Sequence, residues 1–448
     1  MKAKTITGVA MAALLGFGSI GFCGMAGSVD AAHAVAYAQG DGGAPALQAT
    51  SIGDDLTVQA ANSTKPAKPA SKQLKSFKKA SADFSLELFG RCVAAKGKNA
   101  NVTVAPMSVM TALSIAGNGA AGKTSAQMRQ VLADGASISQ INQNLSWYNS
   151  RLTNKKKAKL NSANAIWYDS NSGMKVRKKF LSAAKKYYKA LVKPADFNDT
   201  ATVDDINSWV AKQTNNMIKR VVDQLDKTDR LVIVNALYFD AEWANPYEKH
   251  AVHDATFHAA NGKKRTVQMM YGTERTYVEG KNVTGFVKPY AAGYSYVALL
   301  PKEGMSLKSF VRTLDGTRFR KLMSSATTAT VHTALPKYSI SYTNENMQSQ
   351  LAQMGMPLAF SPNGANFTKM ATDAGGNLYL GRVIHKTKID LDEQGTKAAA
   401  VTAAVAKANA AYDPDAKSVR LDRPFVYAIV DNTTKLPVFI GTVNDIGK

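Results

Sequence analysis

The sequence predicts an α+β protein. Helical periodicity dominates the first half, apolar runs with period-two alternation dominate the second, and 448 residues at 45% hydrophobic and 20% charged suffice for a large core. One stretch fits neither half. Residues 392–411, DEQGTKAAAVTAAVAKANAA, lie between two strand signals near the end of the chain. Their alanines favour helix, yet there is no apolar stripe with which to dock one, and an isolated helix shorter than roughly 12–15 residues is marginal in water. Such small side chains would also let the segment slip between two existing strands. It reads as a loop built to change state.

In chain order, the N-terminus comes first. Lys2 and Lys4 precede an uncharged apolar run over residues 6–22, and Ala32-His33-Ala34 and Ala36-Tyr37-Ala38 both fit the small-x-small rule, so residues 1–38 read as a signal peptide cut near 34 or 38. The expectation is a secreted, extracellular protein, with cell-surface retention an option. Cys23 would leave with the signal; a lipid anchor on it is disfavoured by the bulky Phe22. Cys92 is then the only cysteine, which excludes an internal disulfide. Residues 39–71, rich in Gly, Ala, Pro and Lys and ending near KPAKPA, cannot bury a core and read as a disordered linker. Residues 72–448 form the folded domain, and no second apolar run reaches the ~18 residues that span a bilayer.

Within the domain, Phe84, Leu88, Phe89 and Cys92 fall at helical spacing and predict a helix that buries the cysteine. Residues 117–124, GNGAAGKT, match the phosphate-loop pattern G-x-x-x-x-G-K-[ST] with Lys123 in the phosphate-reaching place. That pattern needs a buried strand before it, whereas Pro106, Val109, Leu113 and Ile115 predict a helix. Further helices are expected over residues 141–152, 176–192, 202–218 (capped by Thr202) and 344–354. Strands are expected over residues 161–169 and 230–240, through most of 258–340 with a hairpin at Asn261-Gly262, and in two closing runs.

The formal charge of +23 favours solubility and attraction to polyanions. Lys155, Lys156, Lys157 and Lys159, with the basic helix over residues 178–189, are a candidate polyanion-binding face or simply a solvated surface. There is no G-x-S-x-G, no H-E-x-x-H and no paired Cys ligands, so no enzyme, metal site or cofactor is expected.

Four blocks then resemble one family. NVTVAPMSV with GNGAAGKTSAQM, NALYFDAEW, HKTKIDLDEQGTKAAAVT, and DRPFVYAIVDNTTKLPVFIGTVND stand in order at the spacing of the serpins, inhibitors of serine proteases. The resemblance runs from about Ser76 to Lys448. It implies about nine helices packed on three β-sheets, with an exposed reactive-centre loop over about 393–415. It makes the glycines of the phosphate-loop match parts of a structural turn. It also implies a mechanism: a target protease cleaves the loop, the loop inserts into the main sheet as a new strand, and the acyl-enzyme is trapped.

Glu393, Gly395, Thr396, Ala398, Ala399 and Ala400 match the family's hinge. Alternate residues Thr396, Ala398, Ala400 and Thr402 share one face and are all small, as insertion requires, while Lys397 takes the other face. The family places the cleaved bond fourteen residues after the hinge glycine, which gives Asn409-Ala410, with Lys407 and Ala408 as alternatives. Small residues there suit an elastase-like or subtilisin-like target, and Lys407 a trypsin-like one. Ser108, Asn235 and His385 match a polar cluster beneath the opening of the main sheet, although Ala105 stands where the family usually has a serine. Trp243 is read as a packing residue. The implied partner is a serine protease in a covalent complex, with a polyanion as a further option, no nucleic acid, and a monomeric chain. The alternative within the family is a non-inhibitory binding or carrier protein.

Overall fold

In the computed structural model, the described residues are 66–97, 99–152, 154–155, 157–372, 377–396 and 413–447, with the backbone of 30–39. The body of the expected signal peptide and most of the linker lie outside them. Among the described residues, nine α-helices pack on three sheets of eight, nine and two strands. The α+β expectation and its three sheets are therefore met.

The eight-stranded sheet is the frame for everything that follows. Its two long central strands are Asp229–Glu242 and Tyr379–Leu391. Outside them lie Ala158–Asp169 on one flank and Tyr338–Asn344 on the other, both antiparallel to their neighbours. Between the two central strands runs one lane, shared end to end by the short strand Gly395–Thr396 and by the N-terminal strand Asp30–Gln39. Both occupants run antiparallel to both walls.

The sequence of Asp229–Glu242 explains its place. Residues 229–239 are buried without a break, as a strand covered on both faces must be. Val232 and Val234 face the core under the helix Thr200–Gln213. Leu231 and Ile233 join the main helical core, while Leu237, Phe239 and Ala241, on that same alternating face, join the core of the nine-stranded sheet. Asn235 stands at the junction of those two cores. The helix Pro106–Gly117 packs there, every residue buried, with proline at its first turn where the missing N–H costs nothing.

Some boundaries differ from expectation. Thr202 does not cap its helix: Asp199 does, accepting from the Ala201 N–H at 2.9 Å, while the Thr202 hydroxyl donates to the Asp196 carbonyl at 2.6 Å. That helix ends at Gln213 rather than 218. Asn344 ends a strand, and its helix is the shorter Met347–Gln353. Inside the strand-rich region lie two short helices, Leu307–Thr313 and Gly316–Ser324, capped by Ser306 and Asp315. The Asn261-Gly262 hairpin forms, with Gly262 at φ 81° as its turn demands.

Candidate functional site

The candidate site is the lane, and the segment expected as the hinge, from Glu393 to Thr396, forms one end of it. Asp392 folds the chain back: its Oδ1 accepts from the Gln394 and Gly395 N–H groups at 2.8 and 3.1 Å, and its own N–H donates to the Gly395 carbonyl at 3.0 Å. The turn delivers Gly395 opposite Glu242, and Thr396 opposite Ala241 on one side and Leu391 on the other. A Cβ on Gly395 would lie 2.1 Å from the Ala241 carbonyl oxygen, so glycine is required by close backbone approach. Thr396 is fully buried and its hydroxyl bonds the Tyr290 hydroxyl.

Directional contacts hold this end. The Trp243 indole Nε1–H donates to the Asp392 carbonyl at 3.0 Å, and the Trp243 and Tyr247 backbone N–H groups donate to the Gln394 and Glu393 carbonyls at 2.8 and 2.9 Å. Lys337 Nζ lies 2.5 Å from Glu393 Oε2. Burial alone would push the Glu393 carboxyl up, but the Lys337 ion pair and the positive Lys249 nearby hold it below its ordinary value. Asp392 goes the other way, raised chiefly by burial. Trp243 stacks on Tyr290 with ring centroids 4.4 Å apart. Behind them a buried pair, Lys288 Nζ to Glu274 Oε1 at 2.7 Å, is 4% and 8% exposed, and the ammonium sits 4.1 Å from the Tyr247 ring centre. Burial raises the Glu274 carboxyl despite the Lys288 charge beside it.

The middle of the lane is built differently. Ser108 Oγ donates to Asn235 Oδ1, and Asn235 Nδ2 donates to Ser162 Oγ at 3.0 Å and Asn164 Oδ1 at 2.7 Å. His385 Nε2 accepts from the Ala105 N–H at 3.1 Å, which is a backbone contact and so tolerates alanine there. Ser108 and Asn235 are thus bonded to each other, while His385 stands across the lane: Ala34 of the N-terminal strand is the partner of Asn235 on one wall and of His385 on the other. The two walls are two strand spacings apart, roughly 10 Å.

A family model described as Serpin (serine protease inhibitor) matches residues 79–446. The chain belongs to the serpin family. An uncharacterised serpin-like protein of Thermococcus kodakarensis is 32% identical over 357 residues, 77% of this chain and 80% of that protein. The leukocyte elastase inhibitor of Xenopus tropicalis is 30% identical over 372 residues, 80% of this chain and 96% of that protein. Among solved structures, the thermophilic serpin tengpin in its native state superposes with a TM-score of 0.79 at 41% identity, covering 86% of this chain and 97% of that one. Thyroxine-binding globulin in complex with thyroxine superposes with a TM-score of 0.71 at 25% identity, covering 83% and 99%.

Other expected residues of this serpin distribute as follows. Ala398, Ala399, Ala400, Lys407, Ala408, Asn409 and Ala410 lie outside the described residues, as do Lys156 and the side chain of Lys155. Lys157 and Lys159 are exposed at the Glu242 end of the main sheet, and Lys157 Nζ is 3.3 Å from Glu242 Oε2. The helix Lys178–Tyr188 is bonded to the same strand at Asn164, whose Nδ2 donates to the Tyr188 carbonyl, about 16 Å further along. The two basic runs therefore meet that strand at separate points. The phosphate-loop match follows a helix, packs on residues 366–370 and accepts from the Asn366 N–H on its Thr124 hydroxyl oxygen at 3.0 Å, a structural turn. Cys92 is buried in its helix and its thiol is pushed up to about 11 by burial, which removes it as a nucleophile. Among the described residues no group of three or more His, Cys, Asp or Glu side chains could hold a metal, and no helix is long and apolar enough to cross a membrane.

Sequence reasoning missed the buried Glu274–Lys288 pair and the tyrosines around it. They lie on separate strands, and no spacing rule joins them before the strands are registered. Trp243 was legible as packing; its hydrogen bond to the hinge was not.

Proposed function

We propose that this serpin is a secreted suicide inhibitor of serine proteases of elastase or subtilisin type. The observation that carries the reading is the hinge: Thr396 is already paired to both walls of the lane and Gly395 to one, and the alternate residues that follow, Ala398, Ala400 and Thr402, are small. The protease serine would attack the Asn409 carbonyl, the Ala410 nitrogen would leave with a proton, and the acyl-ester would be carried off as the loop extends the strand that Thr396 begins. Adding on the order of 10 ladder hydrogen bonds at roughly 1 kcal/mol net each supplies a driving force comparable with the stability of a whole domain. The small residues at 408 and 410, and the likeness to a protein named as an elastase inhibitor, support the choice of target class. Residues 1–38 as a cleaved signal and 39–71 as a linker belong to the same proposal.

A likeness to thyroxine-binding globulin keeps a carrier role as the second reading. One experiment separates them. The purified domain from Gly40 onward is incubated with an elastase, a subtilisin and a trypsin, then run on denaturing electrophoresis. A covalent band heavier than the protease is expected with one of the first two; loop cleavage by all three without any such band would leave the carrier reading standing.

A further inference from the structure

The lane has a second claimant within the same chain. Where the hinge strand stops, Thr396 faces Ala241 and Leu391; two places further along one wall Asp30 faces Phe239, and three places further along the other Ala31 faces Lys388. The N-terminal strand therefore stands in the place of the loop's own continuation, Asp30 in that of Ala398 and Ala38 in that of Ala406. Both walls give this same alignment from Ala31 to Ala36, and the wall Asp229–Glu242 holds it through Ala38. The direction is also the one an inserting loop would take.

The two segments share a pattern as well as a place. Ala32, Ala34, Ala36 and Ala38 take the positions of Ala400, Thr402, Ala404 and Ala406, so small residues recur at every second register position in both. Ala34 comes between Asn235 and His385, the polar middle of the lane. A small residue every second place is the demand the lane makes on any strand that fills it.

We propose that residues 30–39 are an intrachain ligand of the loop-insertion lane, and that a chain retaining them cannot trap a protease. This rests on the inhibitor reading for its consequence, but not for the occupancy itself. Both expected signal-cleavage points fall inside the segment: cleavage after Ala34 removes half of it, and after Ala38 all but Gln39. Processing would then vacate the lane, so the precursor is inert and the mature chain competent.

Two chains test this, one beginning at Asp30 and one at Gly40, with the synthetic peptide DAAHAVAYAQ as the probe. Occupancy is read by thermal unfolding and by native gels. The Asp30 chain should melt several degrees above the Gly40 chain, and excess peptide should bind the Gly40 chain and close that gap, whereas a peptide with Ala34→Trp should do neither. Competence is read by covalent complex with elastase or subtilisin: the Gly40 chain should form the complex and the Asp30 chain should form none, and added peptide should abolish the difference. Equal melting of the two chains together with no peptide binding overturns the proposal, as does equal trapping by both. If neither chain traps any protease, the inhibitor reading has failed, and melting with peptide binding alone decides whether the segment fills the lane.

Discussion

The two ends of the lane's known contacts are held by different physics. At the hinge, the chain is gripped by directional groups: the Trp243 indole on Asp392, two backbone N–H donors on Glu393 and Gln394, an ion pair at Glu393, and a buried Lys288–Glu274 pair behind the aromatic stack. In the middle, the walls' polar side chains turn toward the helix Pro106–Gly117 and its preceding residue instead: Asn235 to Ser108, His385 to the Ala105 N–H. The strand between them is registered by the backbone ladder on its two edges. At the hinge the Lys337–Glu393 ion pair and the Asp392 carboxylate that closes the turn each depend on one side chain of the segment, and so fix one register. A lane held by the ladder would accept any segment of the right direction and side-chain size, which is the physical basis of the proposed competition between two segments of this chain.

The largest test of that contrast lies behind the hinge. Glu274→Gln leaves the Lys288 ammonium buried without its counter-charge, and should cost about 3–5 kcal/mol by urea unfolding. The double replacement Glu274→Met with Lys288→Met should recover most of that loss, since no buried charge then remains unpaired. Trp243→Ala removes the stack on Tyr290 and the donor to Asp392, and should cost about 3–5 kcal/mol, with faster proteolysis near the hinge as a second readout. In the middle, Asn235→Ala removes one side chain serving Ser108, Ser162 and Asn164, and about 1–3 kcal/mol is expected. An Asn235→Ala cost as large as that of Glu274→Gln would erase the distinction between the two regions.

The fold was legible because its signals are local. Helical spacing of Phe84, Leu88, Phe89 and Cys92, the apolar run over residues 231–239 interrupted at Asn235, and Asn261-Gly262 at a turn each depend on a few neighbouring residues, and each appears where expected. The expectation for Gly395 comes from the family resemblance, and what the structure adds is the close approach of the Ala241 carbonyl that demands a glycine there. The buried Lys288–Glu274 pair was not, since a sequence shows two charges fourteen residues apart and burial is decided by strands that pair later. Nor was the N-terminal strand. Residues 30–39 carry the small-x-small pattern expected of a cleavage site, and their backbone is in register with both walls of the lane, which no local pattern announces.

The finest test concerns the hinge's outermost contact. The Glu393 carboxyl is held below its ordinary value of 4.5, so its contribution to stability is fully present above that pH and is lost as pH falls through the lower folded-state value. Asp392 is raised by burial, and Lys337 is one of the charges that restrain that rise. Removing the cation with Lys337→Met therefore raises both carboxyls. The loss should be at most about 1 kcal/mol at pH 7, because the pair is partly open to water, with Lys337 30% and Glu393 21% exposed. It should shrink as the solution is acidified and vanish once both carboxyls are protonated in either protein. Urea midpoints of the two proteins at pH 7, 5 and 3.5 measure the difference, and taking the difference cancels every carboxylate they share. A gap that stays constant down to pH 3.5 would mean that Lys337 acts through the packing of its aliphatic stem, and the hinge's outer contact would then belong with the ladder-held middle rather than with the directional grip above it.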